Sequence, residues 1–263
     1  MNSLHIIKAE CIKSLGNIKS YGLNYIFSNI NVLFLFYGLF YTFSVSANSA
    51  NNSLSFLMGL MYWYYGSHAV DLLALIIEEE IEQGTLEQIL MSKTGLKELL
   101  FYQIFVQILF DTLKGIFVFA ICVWLFQIPL ELIVTSNFIY IIIVFFVGLI
   151  GLYGVGYMIA GMALVFKRVT SVSAVCSYII LYFLGAVVDI NLLPAVLQYV
   201  IKLFPVYWGN NLISTIANHG ISAISNIQWS LFLMSVVGWI VFGLFIFEMC
   251  LSKIYVAGST NDY

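Results

Sequence analysis

The chain has 263 residues, of which 62% are hydrophobic and only 9% are charged, and its net charge is −3. So few charged side chains cannot cover the surface of a soluble domain of this length, and the small negative charge gives no basis for binding nucleic acid. The composition therefore excludes an ordinary soluble protein and predicts an integral membrane protein.

Long stretches of the chain contain no Asp, Glu, Lys or Arg, and each can hold at least one span of about 20 apolar residues. These stretches are residues 20–70, 132–166, 169–188 and 203–247. Because lipid offers no partner to backbone N–H and C=O groups, the spans are expected to be α-helices.

The hydropathy pattern predicts an all-α polytopic membrane protein with six spans, all within one transmembrane domain that covers residues 1–263. The predicted spans lie at about 25–46, 54–77, 99–126, 138–164, 170–189 and 229–251.

Residues 78–98, between the second and third spans, form the main acidic cluster of the sequence and are called the acidic segment. Its first acids are expected to prolong the second helix beyond the membrane, and Gly84 to end that helix. Thr85 is then expected to cap a second, short helix, with Gln88 at the capping-box position.

The short helix that follows is predicted to be amphipathic. Leu86, Ile89 and Leu90 recur at helical spacing, and Glu87, Gln88 and Met91 occupy the other face. An ordinary solvated loop with one helical turn is the alternative interpretation.

The connection before the last span, residues 190–228, is amphipathic rather than polar. Pro194 and Pro205 are expected to break helices. The apolar segment between them is too short to span a bilayer. Two short helices that re-enter the outer leaflet, a re-entrant hairpin, are therefore predicted here.

The distribution of Lys and Arg predicts the orientation of the chain. Six spans place both termini on one side, and that side carries eight of the ten basic residues. The other side has only Lys202, and Lys114 falls within the third span. Both termini are therefore expected to be cytoplasmic.

A second candidate site consists of ionisable residues within the spans, which are costly there and often functional. Asp71 lies in the second span, and Asp111 and Lys114 lie in the third at i, i+3 spacing. One interpretation is mutual neutralisation of Asp111 and Lys114. The other places Asp71 against Lys114 across a helix interface that lines a transport path.

Several passages resemble type 2 ABC exporter permeases in the same order along the chain. Residues 79–90, with two glutamates followed by GTLEQIL, are similar to the acidic signature of that family. The glycine-rich span with its basic stop (148–168) and the two-proline segments (193–198 and 204–208) are similar to further family passages, and residues 1–24 to the family's amphipathic interfacial helix.

The resemblance implies that the acidic segment is a coupling region that docks on a separate nucleotide-binding subunit. The residues that it assigns to this contact are Glu79, Glu80, Glu82, Thr85, Leu86, Glu87, Gln88, Ile89 and Leu90. Leu86, Ile89 and Leu90 would supply the apolar anchor of the contact.

The N-terminal helix of such a permease would lie along the inner leaflet. Lys8, Lys13 and Lys19 would then face anionic head groups.

An ATPase requires a phosphate-binding loop of the type GxxxxGK[ST], which does not occur in this sequence. ATP and Mg²⁺ are therefore expected on the partner ATPase subunit, with no catalytic residue, cofactor or metal site on this chain. Six spans make half a transporter, so a second copy or a sister permease is expected to complete it.

The family implies export across a bacterial plasma membrane. The apolar, aromatic spans favour a hydrophobic or amphipathic substrate such as a lipid, a drug-like molecule or a peptide.

Two other functions stay open on the residues alone. An ion-coupled secondary transporter would use Asp71, Asp111 and Lys114, although the two halves show no internal repeat. An intramembrane enzyme would use the run of glutamates in the acidic segment, but the three histidines are widely separated and no HExxH motif occurs.

Overall fold

The computed structural model describes residues 3–43, 50–92, 95–183, 190 and 193–257. Within these ranges the chain is helical apart from turns and contains no β-strand. The α-helices are α1 (Ser3–Ser20), α2 (Gly22–Phe43), α3 (Ala50–Glu82), α4 (Leu86–Leu90), α5 (Leu96–Leu125), α6 (Leu130–Val134), α7 (Ser136–Phe166), α8 (Thr170–Phe183), α9 (Ala195–Lys202), α10 (Pro205–His219) and α11 (Asn226–Ala257).

Four of the described helices are long and apolar enough to cross a membrane, namely α2, α5, α7 and α11. The protein is therefore an all-α membrane protein. At 1.5 Å per residue α3 is about 50 Å long, but His68 and Asp71 make its middle less apolar. α8 is apolar and is described to Phe183, whereas the predicted fifth span continues through 184–189, outside the described residues. The number of six spans stays a prediction.

The core is built around α7, which packs against α3, α10 and α11. Glycines let the backbones of α7 and α11 touch. A Cβ atom on Gly243 would lie 1.8 Å from the carbonyl oxygen of Gly154, and one on Gly154 would lie 2.5 Å from the carbonyl group of Trp239. Close backbone approach of this kind is the usual role of small residues between membrane helices.

Tyr62 fixes α3 to the same core. Its side chain is fully buried, and its hydroxyl donates a hydrogen bond of 2.9 Å to the carbonyl oxygen of Val144 on α7. A Cβ atom on Gly148 of α7 or Gly209 of α10 would lie 2.5 Å from this hydroxyl. The tyrosine therefore needs both glycines in order to fit between the three helices.

The two-proline segment folds as the helices α9 and α10; residues 191–192 just before it lie outside the described ranges. Pro194 precedes the first residue of α9, and Pro205 is the first residue of α10, where a missing N–H is tolerated. The indole N–H groups of Trp208 and Trp239 donate to the carbonyl oxygens of residues 202 and 203, each at 2.8 Å. The turn between the two helices is thereby tied to α11.

The first two helices lie at the periphery. α1 packs on α5, where the Gln103 amide donates to the Glu10 carboxylate at 3.1 Å. α2 is more loosely packed, since large side chains such as Leu23 and Phe34 are 74% and 73% exposed.

Candidate functional site

The acidic segment begins as the last turn of α3 and changes direction at Gly84. Gly84 has φ +69°, a conformation that side chains with a Cβ atom rarely adopt. Its N–H donates to the carbonyl oxygen of Ile81 at 3.1 Å, and the N–H of Thr85 donates to that of Glu80 at 3.0 Å. These two bonds form a Schellman motif. The predicted helix stop at Gly84 is confirmed.

Thr85 does not cap α4, so the predicted capping box is wrong. A capping side chain usually belongs to an extended N-cap residue, whereas Thr85 has φ −96° and ψ −10° and makes no capping hydrogen bond. Its hydroxyl donates instead to the carboxylate of Glu80 and, at 3.3 Å, to the carbonyl oxygen of that residue. Glu80 and Thr85 therefore stabilise the turn itself.

The apolar residues of α4 pack on the chain's own core. Leu86 is 3% exposed, and Ile89 and Leu90 are half-buried against core side chains. These residues were expected to anchor a partner, but their contact surface is largely used within this chain. Lys93 and Thr94, also in the acidic segment, lie outside the described residues.

Several exposed residues of α4 and of the segments beside it are together called the α4 surface. It consists of Glu79, Glu82, Glu87, Gln88 and Met91. Met91 is 87% exposed and offers an apolar side chain at this surface. The α4 surface therefore combines an acidic rim with one apolar contact residue, while its underside is fixed by Leu86.

Glu78 was not among the residues assigned to the coupling contact, yet its carboxylate has two hydrogen-bond partners on another part of the chain. Its side chain is buried, with 8% exposed. One carboxylate oxygen accepts the backbone N–H of Val169 at 2.5 Å, and the other accepts the Thr170 hydroxyl at 2.7 Å. The carboxylate thus binds the N-terminus of α8, where the helix dipole favours negative charge. The spacing of seven residues from Asp71, which places both acids on one side of α3, was the available signal.

Two exposed ion pairs also connect different parts of the chain at this end of the molecule. Arg168, in the turn between α7 and α8, binds the carboxylate of Glu82 at 2.7 Å. Lys97 at the start of α5 pairs with Glu248 near the end of α11. Because exposed pairs contribute little to stability, we assign the main fixation of this region to the buried contacts of Leu86 and Glu78.

The ionisable residues of the second candidate site do not lie together: Asp111 and Lys114 are paired, and Asp71 lies elsewhere. Asp111 is 3% exposed and accepts hydrogen bonds from Gln107 at 3.0 Å and from the Lys114 ammonium at 3.4 Å. This ammonium also lies 4.8 Å from the ring centroid of Tyr25 on α2, which is a cation–π contact. Asp111 and Lys114 therefore neutralise each other within α5, as one of the two interpretations expected.

Asp71 lies instead against α8, beside Ser173. One of its carboxylate oxygens is buried and has no hydrogen-bond partner among the described atoms. In the described part of the chain the ion-pair partner of Lys114 is Asp111 and not Asp71. The expectation of an Asp71–Lys114 pair across a helix interface is thus not met.

A family model described as ABC-2 type transporter matches residues 3–218. The match extends from α1 almost to the end of α10, so it includes the acidic segment, the α7–α8 turn and the two-proline segment. No curated protein matches the chain.

Proposed function

The chain belongs to the ABC-2 type transporter family, as its motifs predicted, and on this premise we propose that it is the membrane subunit of an ATP-driven exporter. Separate ATPase subunits bind ATP and Mg²⁺ and dock on the α4 surface. Two permeases, either two copies of this chain or this chain and a sister, form the transport path.

The observation that carries this proposal is the contrast between the two sides of α4. Leu86 is buried in the core, while Glu87, Gln88 and Met91 on the other side are exposed. A docking element must present contacts to a partner and also be fixed to the part that it moves. The Gly84 turn joins the helix α4 to the end of α3. The helix α3 is continuous from this turn back to Ala50, so a force on α4 reaches the predicted second span.

The proposed topology has the six spans predicted from the sequence, to which the described helices α2, α3, α5, α7, α8 and α11 belong. Both termini are cytoplasmic, and the chain resides in the plasma membrane. α1 lies along the inner leaflet with its exposed lysines, Lys8, Lys13 and Lys19, toward the head groups. α9 and α10 form the re-entrant hairpin of the outer leaflet, which is supported by Val196 and Tyr199 of α9, exposed to 74% and 73%.

We further propose a hydrophobic or amphipathic substrate, such as a lipid, a drug-like molecule or a peptide. In support, large apolar and aromatic side chains such as Leu23 and Phe34 on α2 and Met234 and Phe245 on α11 are exposed, so that cargo dissolved in a leaflet would meet mainly apolar groups beside these helices. Outward transport follows from the resemblance to exporter permeases.

The proposal is tested by purifying the tagged chain from membranes of its native host and identifying what is bound to it. We expect a stoichiometric ATPase subunit and ATP hydrolysis by the purified complex. Met91→Arg and Glu87→Arg should each remove this subunit, because they change the size and charge of the α4 surface. Glu131→Arg is the matched control, since Glu131 is an exposed acid on the distant helix α6.

A wild-type chain that purifies without an ATPase subunit would contradict the assignment. If the ATPase subunit binds wild type and both arginine variants equally, the complex exists but docks elsewhere. Leu86→Arg is unsuitable for this test, because a charge at this buried position would disturb the fold as well as the contact.

A further inference from the structure

The helix α8 depends on α3 for its position. Among the described helices its main packing partner is α3. Its opposite face is not covered by the part of the chain that the structure describes, with Val175 and Tyr178 each 59% exposed. If α3 moves, α8 therefore follows it only when the contacts in their common interface are retained.

This interface carries carboxylates in an otherwise apolar part of the molecule. Three acidic residues of α3 meet successive positions at the start of α8 and in the turn before it, in the order expected of antiparallel helices. The contacts are Asp71 with Ser173, Glu78 with Val169 and Thr170, and Glu82 with Arg168.

The middle contact is the one that can transmit force. The N–H groups in the first turn of a helix have no partner within the helix, and the Val169 N–H is satisfied by the carboxylate of Glu78. Hydrogen bonds to a charged group are stronger than neutral ones. Glu78 is buried, whereas the side chains of Glu82 and Arg168 are 58% and 80% exposed and compete with water.

We propose that Glu78 is a positioning residue that makes α8 follow α3 when the ATPase subunit acts on the α4 surface. The inference rests on the proposed function. The connection runs from α4 through the Gly84 turn into the last turn of α3, and from the Glu78 carboxylate to the N-terminus of α8. Glu79, the next residue in sequence, is exposed and belongs to the docking contact instead.

The test measures the movement of α8 in the complex with its ATPase subunit, in a background where the four native cysteines are replaced. Spin labels are attached at Ser171→Cys on α8 and Ser252→Cys on α11, both exposed positions. Pulsed electron resonance gives their distance without nucleotide and after trapping with ATP and vanadate. Samples with either cysteine alone identify distances between two copies of the chain.

We expect the parent complex, which retains Glu78, to show a nucleotide-dependent change in the distance between the two spin labels. Glu78→Ala should lose this change while it retains the ATPase subunit and ATP hydrolysis. Glu78→Gln keeps one carbonyl acceptor for the Val169 N–H and should retain part of the change. Glu131→Ala is the control, since Glu131 is an exposed acid on α6 outside the docking contact, and it should respond as the parent does.

An unchanged nucleotide response in Glu78→Ala would overturn the proposal, and so would a parent complex in which the distance does not respond to nucleotide. If Glu78→Ala does not assemble with the ATPase subunit, Thr170→Val is measured instead. This variant removes only the hydrogen bond from the Thr170 hydroxyl to Glu78, and Thr170→Ser, which keeps the hydroxyl, is its control. A reduced response in Thr170→Val alone supports the proposal, and equal responses overturn it. Failure of the proposed function is distinct, because the ATPase subunit would then be absent from the parent sample.

Discussion

Three consecutive glutamates, Glu78, Glu79 and Glu80, have three different environments. Glu78 is buried against the start of α8, Glu79 is exposed, and Glu80 is half-buried and holds the Thr85 hydroxyl. Each step along an α-helix turns the side chain by about 100°, so neighbouring residues of one type face different surroundings. Their roles follow from the rotation of α3 about its axis and not from the residue type.

At the residue scale, Gly243→Ala should destabilise the protein strongly, because its Cβ atom would lie 1.8 Å from the carbonyl oxygen of Gly154. The backbones of α7 and α11 must separate to admit it, and overpacking of this kind costs about 1–3 kcal/mol or more. Gly238→Ala on the same helix is the control, since nothing lies within 4 Å of its Cβ position. Thermal unfolding in detergent measures both, and equal melting temperatures would contradict the helix contact.

A second prediction concerns the intramembrane ion pair. Lys114→Met leaves the buried Asp111 carboxylate without its cation, and breaking one side of a buried pair costs about 3–5 kcal/mol. Adding Asp111→Asn should recover most of this loss, because the amide keeps an acceptor for Gln107. Chemical unfolding of the two single variants and the double variant gives the coupling energy.

The exposed pair of Lys97 and Glu248 is the control for that measurement. Its side chains are 46% and 60% exposed, so that Lys97→Met should cost about 0–1 kcal/mol. If Lys114→Met is no more costly than Lys97→Met, the Asp111 carboxylate does not depend on Lys114.

At the scale of elements, the acidic segment is a helix–turn–helix whose geometry depends on one glycine. Gly84→Ala forces a Cβ atom into the left-handed conformation at φ +69°, which costs about 1–2 kcal/mol. We expect this variant to bind its ATPase subunit more weakly by up to about tenfold, because about 1.4 kcal/mol corresponds to a factor of ten. Titration of the purified permease with the subunit measures the affinity.

Gly84→Asn distinguishes the conformation from the mere loss of glycine. Asparagine occupies the left-handed region more readily than alanine does, so its effect should be the smaller one. Equal losses for the two variants would indicate that the free space at Gly84, and not its backbone conformation, matters for docking.

At the scale of the whole molecule, orientation in the membrane is the property that decides whether the α4 surface can meet a cytoplasmic ATPase. Ser252→Cys and Ser222→Cys, in a background without the native cysteines, place exposed thiols at two sites that the proposed topology assigns to opposite sides of the bilayer, with Ser252 on the same side as the α4 surface. In intact cells a membrane-impermeant maleimide should label only Ser222→Cys, and permeabilisation should expose Ser252→Cys. The opposite pattern would reverse the topology and place the α4 surface outside the cell.

The sequence alone predicted much of the helical organisation. The charge-free stretches, the Gly84 stop and the two prolines are local features, and the helices α9 and α10 begin next to those prolines. The family was also predictable, because its motifs are short and lie in a fixed order. Such properties depend on composition and on residues that are neighbours in the chain, so they can be predicted without knowledge of tertiary contacts.

Only the tertiary structure decided which side chains of the acidic segment are available to a partner. Leu86, Ile89 and Leu90 have the spacing of an amphipathic helix whether their apolar side meets a partner or the chain's own core, and the contact with the core depends on helices distant in sequence. The pairing of Glu78 with the start of α8 joins residues 91 and 92 positions apart. In a membrane the faces toward lipid and toward other helices are both apolar, and hydrophobic periodicity therefore cannot identify the packed side. The rotation of α3 is consequently set by its contacts with α7, α8 and α10.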